Sequence, residues 1–129
     1  MSEGWEVETN VRAPGEEHDL VLHRHLEYYI MECKWVKETT QPYLLSILRD
    51  RTTARIGMRG LFVSMSGFTP EAIKDTADRL EQAMILLFGL QDIEAIVSHR
   101  SQFSELLKVK FHAAITRRAI LIDGQYHTR

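Results

Sequence analysis

The stretch Tyr28-Tyr29-Ile30-Met31-Glu32-Cys33-Lys34 decides how this chain is read. Its first four residues are apolar or aromatic at every position of the alternation. That is the pattern of a strand buried on both faces, and so central in its sheet. The run then breaks into an acid and a lysine two residues apart. Successive strand side chains point to opposite faces, so Glu32 and Lys34 share one face while Cys33 points to the other, toward the core.

Working back along the chain, residues 18–24 read as the preceding strand, carrying Asp19. Facing residues of an antiparallel pair have a constant index sum. A turn centred between His25 and Leu26 gives a sum of 51, which sets Asp19 opposite Glu32 at about 4.5–5.5 Å between Cα atoms. Two carboxylates that close repel unless a proton or a cation lies between them. A slip of one residue would separate them. The turn Arg24-His25-Leu26-Glu27 has no Gly, Asn or Asp for a tight primed turn, which leaves a longer loop as the alternative. Paired as expected, Asp19 and Glu32 supply the oxygen ligands that Mg²⁺ prefers, and the backbone carbonyl of Cys33 lies beside them as a further ligand. A metal there acidifies a water and polarises a phosphoryl group, and Lys34 orients the water or offsets developing negative charge.

Residues 5–12 alternate strictly, with Trp5, Val7, Thr9 and Val11 on one face, and read as a half-buried first strand. Ala13-Pro14-Gly15-Glu16 reads as a turn. Three short strands with tight connections make an antiparallel meander. Beyond Lys34 the pattern changes. Thr40 is placed to cap a helix with Pro42 in its first turn; Leu44, Leu45, Leu48 and Ile56 form its apolar side, and Gly57 suits its end. Gly60–Met65 is a short buried strand. Thr69 caps a second helix with Pro70 at its first position, and Met84–Phe88 is a fifth strand. A short helical piece over Asp92–Val97 and a longer helix carrying Phe103, Leu106, Leu107, Phe111, Ala114 and Ile115 follow. Strand, helix, strand, helix, strand implies parallel pairing with right-handed crossovers. The expected architecture is α/β, a mixed sheet with helices on both faces, in one domain over residues 1–129. Its core spans about residues 5–90, and C-terminal helices and a tail follow over residues 91–129.

The 129 residues suffice for a full core, and the 44% hydrophobic and 26% charged fractions are ordinary for a soluble protein. No apolar stretch reaches the roughly 18 residues of a membrane span. The first residues lack a signal pattern, and the single Cys33 forms no intrachain disulfide, so a reducing, cytoplasmic setting is expected. A net charge of −2 argues against a protein that merely coats nucleic acid. Acids nevertheless crowd the N-terminal part, while bases gather at Arg49, Arg51, Arg55 and Arg59 and again from Arg100 to Arg118. An acidic pocket beside basic patches suits a metal-dependent enzyme acting on a polyanion; an ordinary solvated surface is the plainer reading.

The stretches Trp5-Glu6-Val7-Glu8-Thr9, His18-Asp19-Leu20-Val21-Leu22 and Ile30-Met31-Glu32-Cys33-Lys34-Trp35, followed by Gly60-Leu61-Phe62-Val63-Ser64-Met65-Ser66-Gly67-Phe68-Thr69, resemble the core of Mrr-like restriction endonucleases, within the PD-(D/E)XK nuclease superfamily. The likeness covers about residues 5–90. It implies a restriction-endonuclease-like sheet and hydrolysis of DNA with Mg²⁺, or Mn²⁺ in its place. It assigns the metal to Asp19 and Glu32 and assistance of the attacking water to Lys34. It also implies a nuclease arm of a larger defence protein, with further domains; because cutting both strands usually needs two active sites, a homodimer is expected as well. Two departures stand out. His18 replaces the motif proline, and the core helix that precedes the first strand in that superfamily is apparently missing ahead of Trp5.

Other constellations are weaker. His23 and His25 with Asp19 suggest zinc, but no further His or Cys stands nearby. Cys33 has no histidine at a credible spacing and reads as a packed thiol. Ser66-Gly67-Phe68-Thr69-Pro70 precedes a helix N-terminus, where cap and turn outweigh phosphate binding. Arg51, Arg55 and Arg59 repeat at helical spacing and could track a DNA backbone, with Gln41 reaching a phosphate or metal-bound water. Trp35 reads as packing rather than base stacking. The rival to an endonuclease is a non-catalytic module that binds DNA or a partner on the same fold; an α/β nucleotide-binding domain rests only on the fold and the turn from Ser66 to Pro70.

Overall fold

The structure is a computed structural model that describes residues 3–11 and 18–128, with the backbone alone for Asn10, Val11, His18 and Asp19. The turn expected over Ala13–Glu16 lies outside the described residues. Strands β1 (Glu6–Val11), β2 (His18–Arg24) and β3 (Glu27–Lys34) form an antiparallel meander. Helix α1 (Pro42–Thr53) crosses to β4 (Met58–Ser64), and α2 (Pro70–Asp78) crosses to β5 (Ile85–Phe88). The sheet order is β1-β2-β3-β4-β5, with β3-β4 and β4-β5 parallel, so β3 is central as its apolar run implied.

The β2–β3 pairs run from Leu20 with Met31 to Arg24 with Glu27, a constant sum of 51. The turn is therefore the short one, although it contains no Gly, Asn or Asp. His25 takes the left-handed conformation at φ 56, a region in which histidine is enriched among non-glycine residues.

Gly60 fixes how α1 lies on the sheet. A Cβ there would sit 2.9 Å from Thr52 Oγ1 and 3.0 Å from Ile85 Cγ1, so only a glycine lets the helix approach this closely. The face of the sheet under α1 thus carries Gly60 and Phe62 of β4 and Glu32 and Lys34 of β3. The opposite face carries Tyr29 and Phe88, covered by α4 (Phe103–Arg117). Phe103 stacks on Phe88 at 5.7 Å and meets Trp5 edge-on at 5.6 Å between ring centroids. The Glu3 carboxylate accepts from the amides of Phe103 (3.0 Å) and Ser104 (2.8 Å), capping α4 from across the sheet. A bond from the Ser104 side chain, joined by these amides, holds Glu3 below the usual carboxylate range.

Three local expectations are corrected. Gln41, not Thr40, is the N-cap of α1, with Pro42 next to it. Thr40 is instead wholly buried, where its hydroxyl donates to Ser64 Oγ at 2.8 Å. Helix α1 ends at Thr53, so Ile56 lies beyond it and is fully exposed rather than on its apolar side. The C-terminal segment is no mere tail. After α3 (Leu90–Val97) and α4, strands β6 (Ala119–Ile122) and β7 (Gln125–Thr128) form a hairpin across Asp123 (φ 50) and Gly124 (φ 77).

The α2 cap is as expected: Thr69 accepts from the Ala72 amide at 3.1 Å, with Pro70 following. No helix among the described residues is long and apolar enough to cross a membrane.

Candidate active site

Glu32 and Lys34 project from the C-terminal end of β3 into one pocket of about 310 Å³. Phe62 of β4 forms its floor, and Leu44, Ile47 and Arg51 of α1 form its wall. The alternation of the strand brings the acid and the amine together, and the α1 crossover closes the space above them. Glu32 Oε2 accepts from Arg51 Nη1 at 3.2 Å, with 39% of the Glu32 side chain and 15% of the Arg51 side chain exposed.

The backbone of Asp19 belongs to β2, one step beyond the Leu20–Met31 pair in the direction of Glu32. Its side chain lies outside the described residues. Among those described, no three His, Cys, Asp or Glu groups converge on a common point. Among the described residues Glu32 brings one carboxylate to this pocket, a hard oxygen donor of the kind that a divalent cation such as Mg²⁺ takes.

The loop after Lys34 is fastened to the Ser66-Gly67-Phe68-Thr69 turn. The Met65 amide donates to the Lys34 carbonyl at 3.1 Å, and the Ser66 hydroxyl donates to the Val36 carbonyl. The Thr40 amide donates to the Gly67 carbonyl, and the Thr69 amide to the Thr40 carbonyl, each at 2.9 Å. Buried Ser64, paired with Lys34 across the sheet, donates to the Gly67 carbonyl at 2.8 Å. This turn therefore clamps the end of the acid-bearing strand, and its polar groups are spent on backbone rather than left open for a nucleotide.

The remaining sequence candidates separate. His23 Nε2 lies 3.5 Å from Glu6 and 3.3 Å from Glu8, its ring stacked on Tyr28 at 4.8 Å, while His25 sits in the exposed turn. The three arginines do not share a helix. Arg51 is in the last turn of α1, Arg55 follows its end and donates to the Arg51 carbonyl at 3.1 Å, and Arg59 is in β4. Arg59 lies on the opposite face, its guanidinium 4.4 Å from the Phe111 ring centroid. Gln41 is exposed at the start of α1, and Trp35 is exposed just past Lys34 rather than packed.

Cys33 packs against the core, and burial first, then the neighbouring Glu32 charge, pushes its thiol up. The thiol therefore stays protonated and unreactive near neutral pH. Iodoacetamide at pH 7.5 is expected to label the native chain many times more slowly than the chain unfolded in guanidinium. Equal rates would show that the thiol is open.

The sequence profile of the restriction endonuclease family Mrr_cat matches residues 1–107. The chain belongs to this family. Its mixed five-stranded sheet with flanking helices is the restriction-endonuclease-like fold. A similar fold is found in the crystal structure of AF1548, described as a protein of unknown function. That structure is 21% identical, with a TM-score of 0.60, over 77% of this chain and 59% of the other. This Mrr_cat chain thus spans about three fifths of the protein it matches. No curated protein matches it.

Proposed function

We propose that this Mrr_cat domain is a metal-dependent DNA endonuclease in which Asp19 and Glu32 hold Mg²⁺, with Mn²⁺ as a substitute, and Lys34 serves the attacking water. One observation carries the reading: Glu32 and Lys34 enter a single pocket from the end of the central strand, in a sheet whose β2–β3 register runs toward Asp19. The bound ion would acidify a water and neutralise charge on the scissile phosphate. Glu32 and Asp19 hold the oxygen side of the site, with the Cys33 carbonyl as a further donor. Lys34 hydrogen-bonds the incoming water and offsets charge as the phosphorane builds. The apolar wall of Leu44, Ile47 and Phe62 lowers the local dielectric and strengthens each of these interactions.

The substrate is DNA, approached from the open side of the pocket, with Gln41 at the start of α1 and Arg55 just past its end proposed as backbone contacts. A cytoplasmic defence role, further domains and pairing of two chains for double-strand cleavage complete the proposal. The test is supercoiled plasmid with the purified chain and Mg²⁺ or Mn²⁺. Nicked or linear product is expected with either ion and not with EDTA. Intact plasmid under both ions, with the protein folded, would favour a binding module that does not cut.

A further inference from the structure

We infer that Arg51 is the resident counter-ion of this site, holding Glu32 until a divalent cation takes that carboxylate, and then serving the DNA phosphate that enters the same pocket. The inference rests on the reading of Glu32 as a metal acid and goes beyond it by giving one side chain two successive partners.

Three observations support it. Arg51 Nη1 is 3.2 Å from Glu32 Oε2, so the acid proposed to hold the metal already has a cation on it. Arg51 also lines the pocket with Lys34, so a released guanidinium has no distance to travel to meet a phosphate there. Finally, it is delivered by a rigid element. Leu45 and Leu48 bury α1 against the sheet, the Thr52 hydroxyl donates to the Leu48 carbonyl at 2.7 Å, and Arg55 caps the Arg51 carbonyl. The geometry is therefore set by helix packing rather than by a loop.

The electrostatics set opposite signs for the two steps. A guanidinium 3.2 Å from the carboxylate that an incoming divalent cation must take repels that cation, because the two charges lie well within a Debye length of each other. Arg51 must therefore weaken metal binding to the DNA-free protein. Once a phosphodiester enters, the same guanidinium faces an anion, and its planar fork of donors suits phosphate oxygens. It then favours substrate and the charge that develops in the transition state. The pocket is thereby less attractive to stray cations before DNA arrives.

The experiment measures Mn²⁺ binding to the DNA-free protein, from the free-ion electron paramagnetic resonance signal, and plasmid cleavage at saturating Mn²⁺. Arg51→Gln is expected to bind Mn²⁺ about tenfold more tightly and to cleave about 10–100-fold more slowly. Arg51→Lys, which keeps the charge, is expected to bind Mn²⁺ close to wild type. In the unaltered protein, the Arg51 Nε–H resonance, identified by its loss in Arg51→Lys, should shift on titration with Mg²⁺. A purely structural role for Arg51 would lower both metal affinity and cleavage together. Unchanged or weaker Mn²⁺ binding by Arg51→Gln, or an unmoved Nε–H resonance, overturns this inference while leaving the endonuclease reading intact. Undiminished Mn²⁺ binding by Glu32→Gln would instead remove that reading itself.

Discussion

Glu32→Gln is expected to lower plasmid cleavage by at least about three orders of magnitude while leaving the thermal unfolding midpoint within a few degrees of wild type. The amide keeps the size and the hydrogen-bonding reach of the carboxylate but not its charge, and hard divalent cations bind neutral amide oxygen far more weakly than carboxylate. The contact with Arg51 loses its ionic part, yet Glu32 is 39% exposed, so solvent screens that loss and little stability goes with it. Lys34→Ala should cost about 10²–10³-fold in the same assay, because it removes one donor from the developing charge without touching the metal's acids. Cleavage rates and circular dichroism melts on the same preparations check both. Two variants that cut as fast as wild type would remove the acid–amine pocket from the mechanism.

Lys110→Met is expected to destabilise the fold by about 3–5 kcal/mol, which for a chain of this size is a fall of roughly 10–20 °C in the unfolding midpoint. The cause lies away from the pocket. Lys110 Nζ bonds Asp92 Oδ2 at 2.9 Å and the Leu121 carbonyl at 2.5 Å, over the ring of Phe88 at 4.7 Å. The two side chains are only 1% and 5% exposed. Burial pushes the Lys110 ammonium down, and the Asp92 charge pulls against that shift. Asp92 also accepts from the amides of Gly89 (3.0 Å) and Asp123 (3.2 Å), so one carboxylate ties the start of α3 to the β6–β7 hairpin and, through the lysine, to α4. Removing the ammonium leaves that carboxylate buried with no counter-charge. Adding Asp92→Asn to Lys110→Met should recover part of the loss, since the pair is then neutral together. Thermal melts of the single and double variants measure this. A strictly additive double variant would show that the two groups are not coupled.

The β2–β3 register was legible because it needs only counting. The pairing is local, the turn is short, and a constant sum of 51 follows from its centre. The turn residues themselves gave no help, since His25 adopts a conformation that glycine or asparagine would have advertised. The C-terminal hairpin, absent from the pattern expected above, has an equally local signal: Ala119-Ile120-Leu121-Ile122 followed by Asp123-Gly124 is a strong two-residue hairpin pattern. The spacing of Arg51, Arg55 and Arg59 implies a helix that runs on, whereas α1 ends at Thr53. The stripe that matters is Leu44, Leu48 and Arg51, at i, i+4 and i+7, the apolar face of α1 ending in a guanidinium. Thr40 was assigned to a cap because cap residues are recognised by type. Its hydroxyl is held instead by Ser64, 24 residues away.

The sequence by itself determined the central strand, the shared face of Glu32 and Lys34, the antiparallel meander and the parallel crossovers. These follow from alternation, local pairing and chain handedness. Only the tertiary structure decided that α1 lies close enough over Gly60 to put Arg51 on Glu32, that α4 covers the opposite face, and that Lys110 and Asp92 are buried together. Each of these depends on how a helix seats on a sheet. Seating is a sum of many side-chain contacts between residues far apart in the chain, which no local pattern encodes.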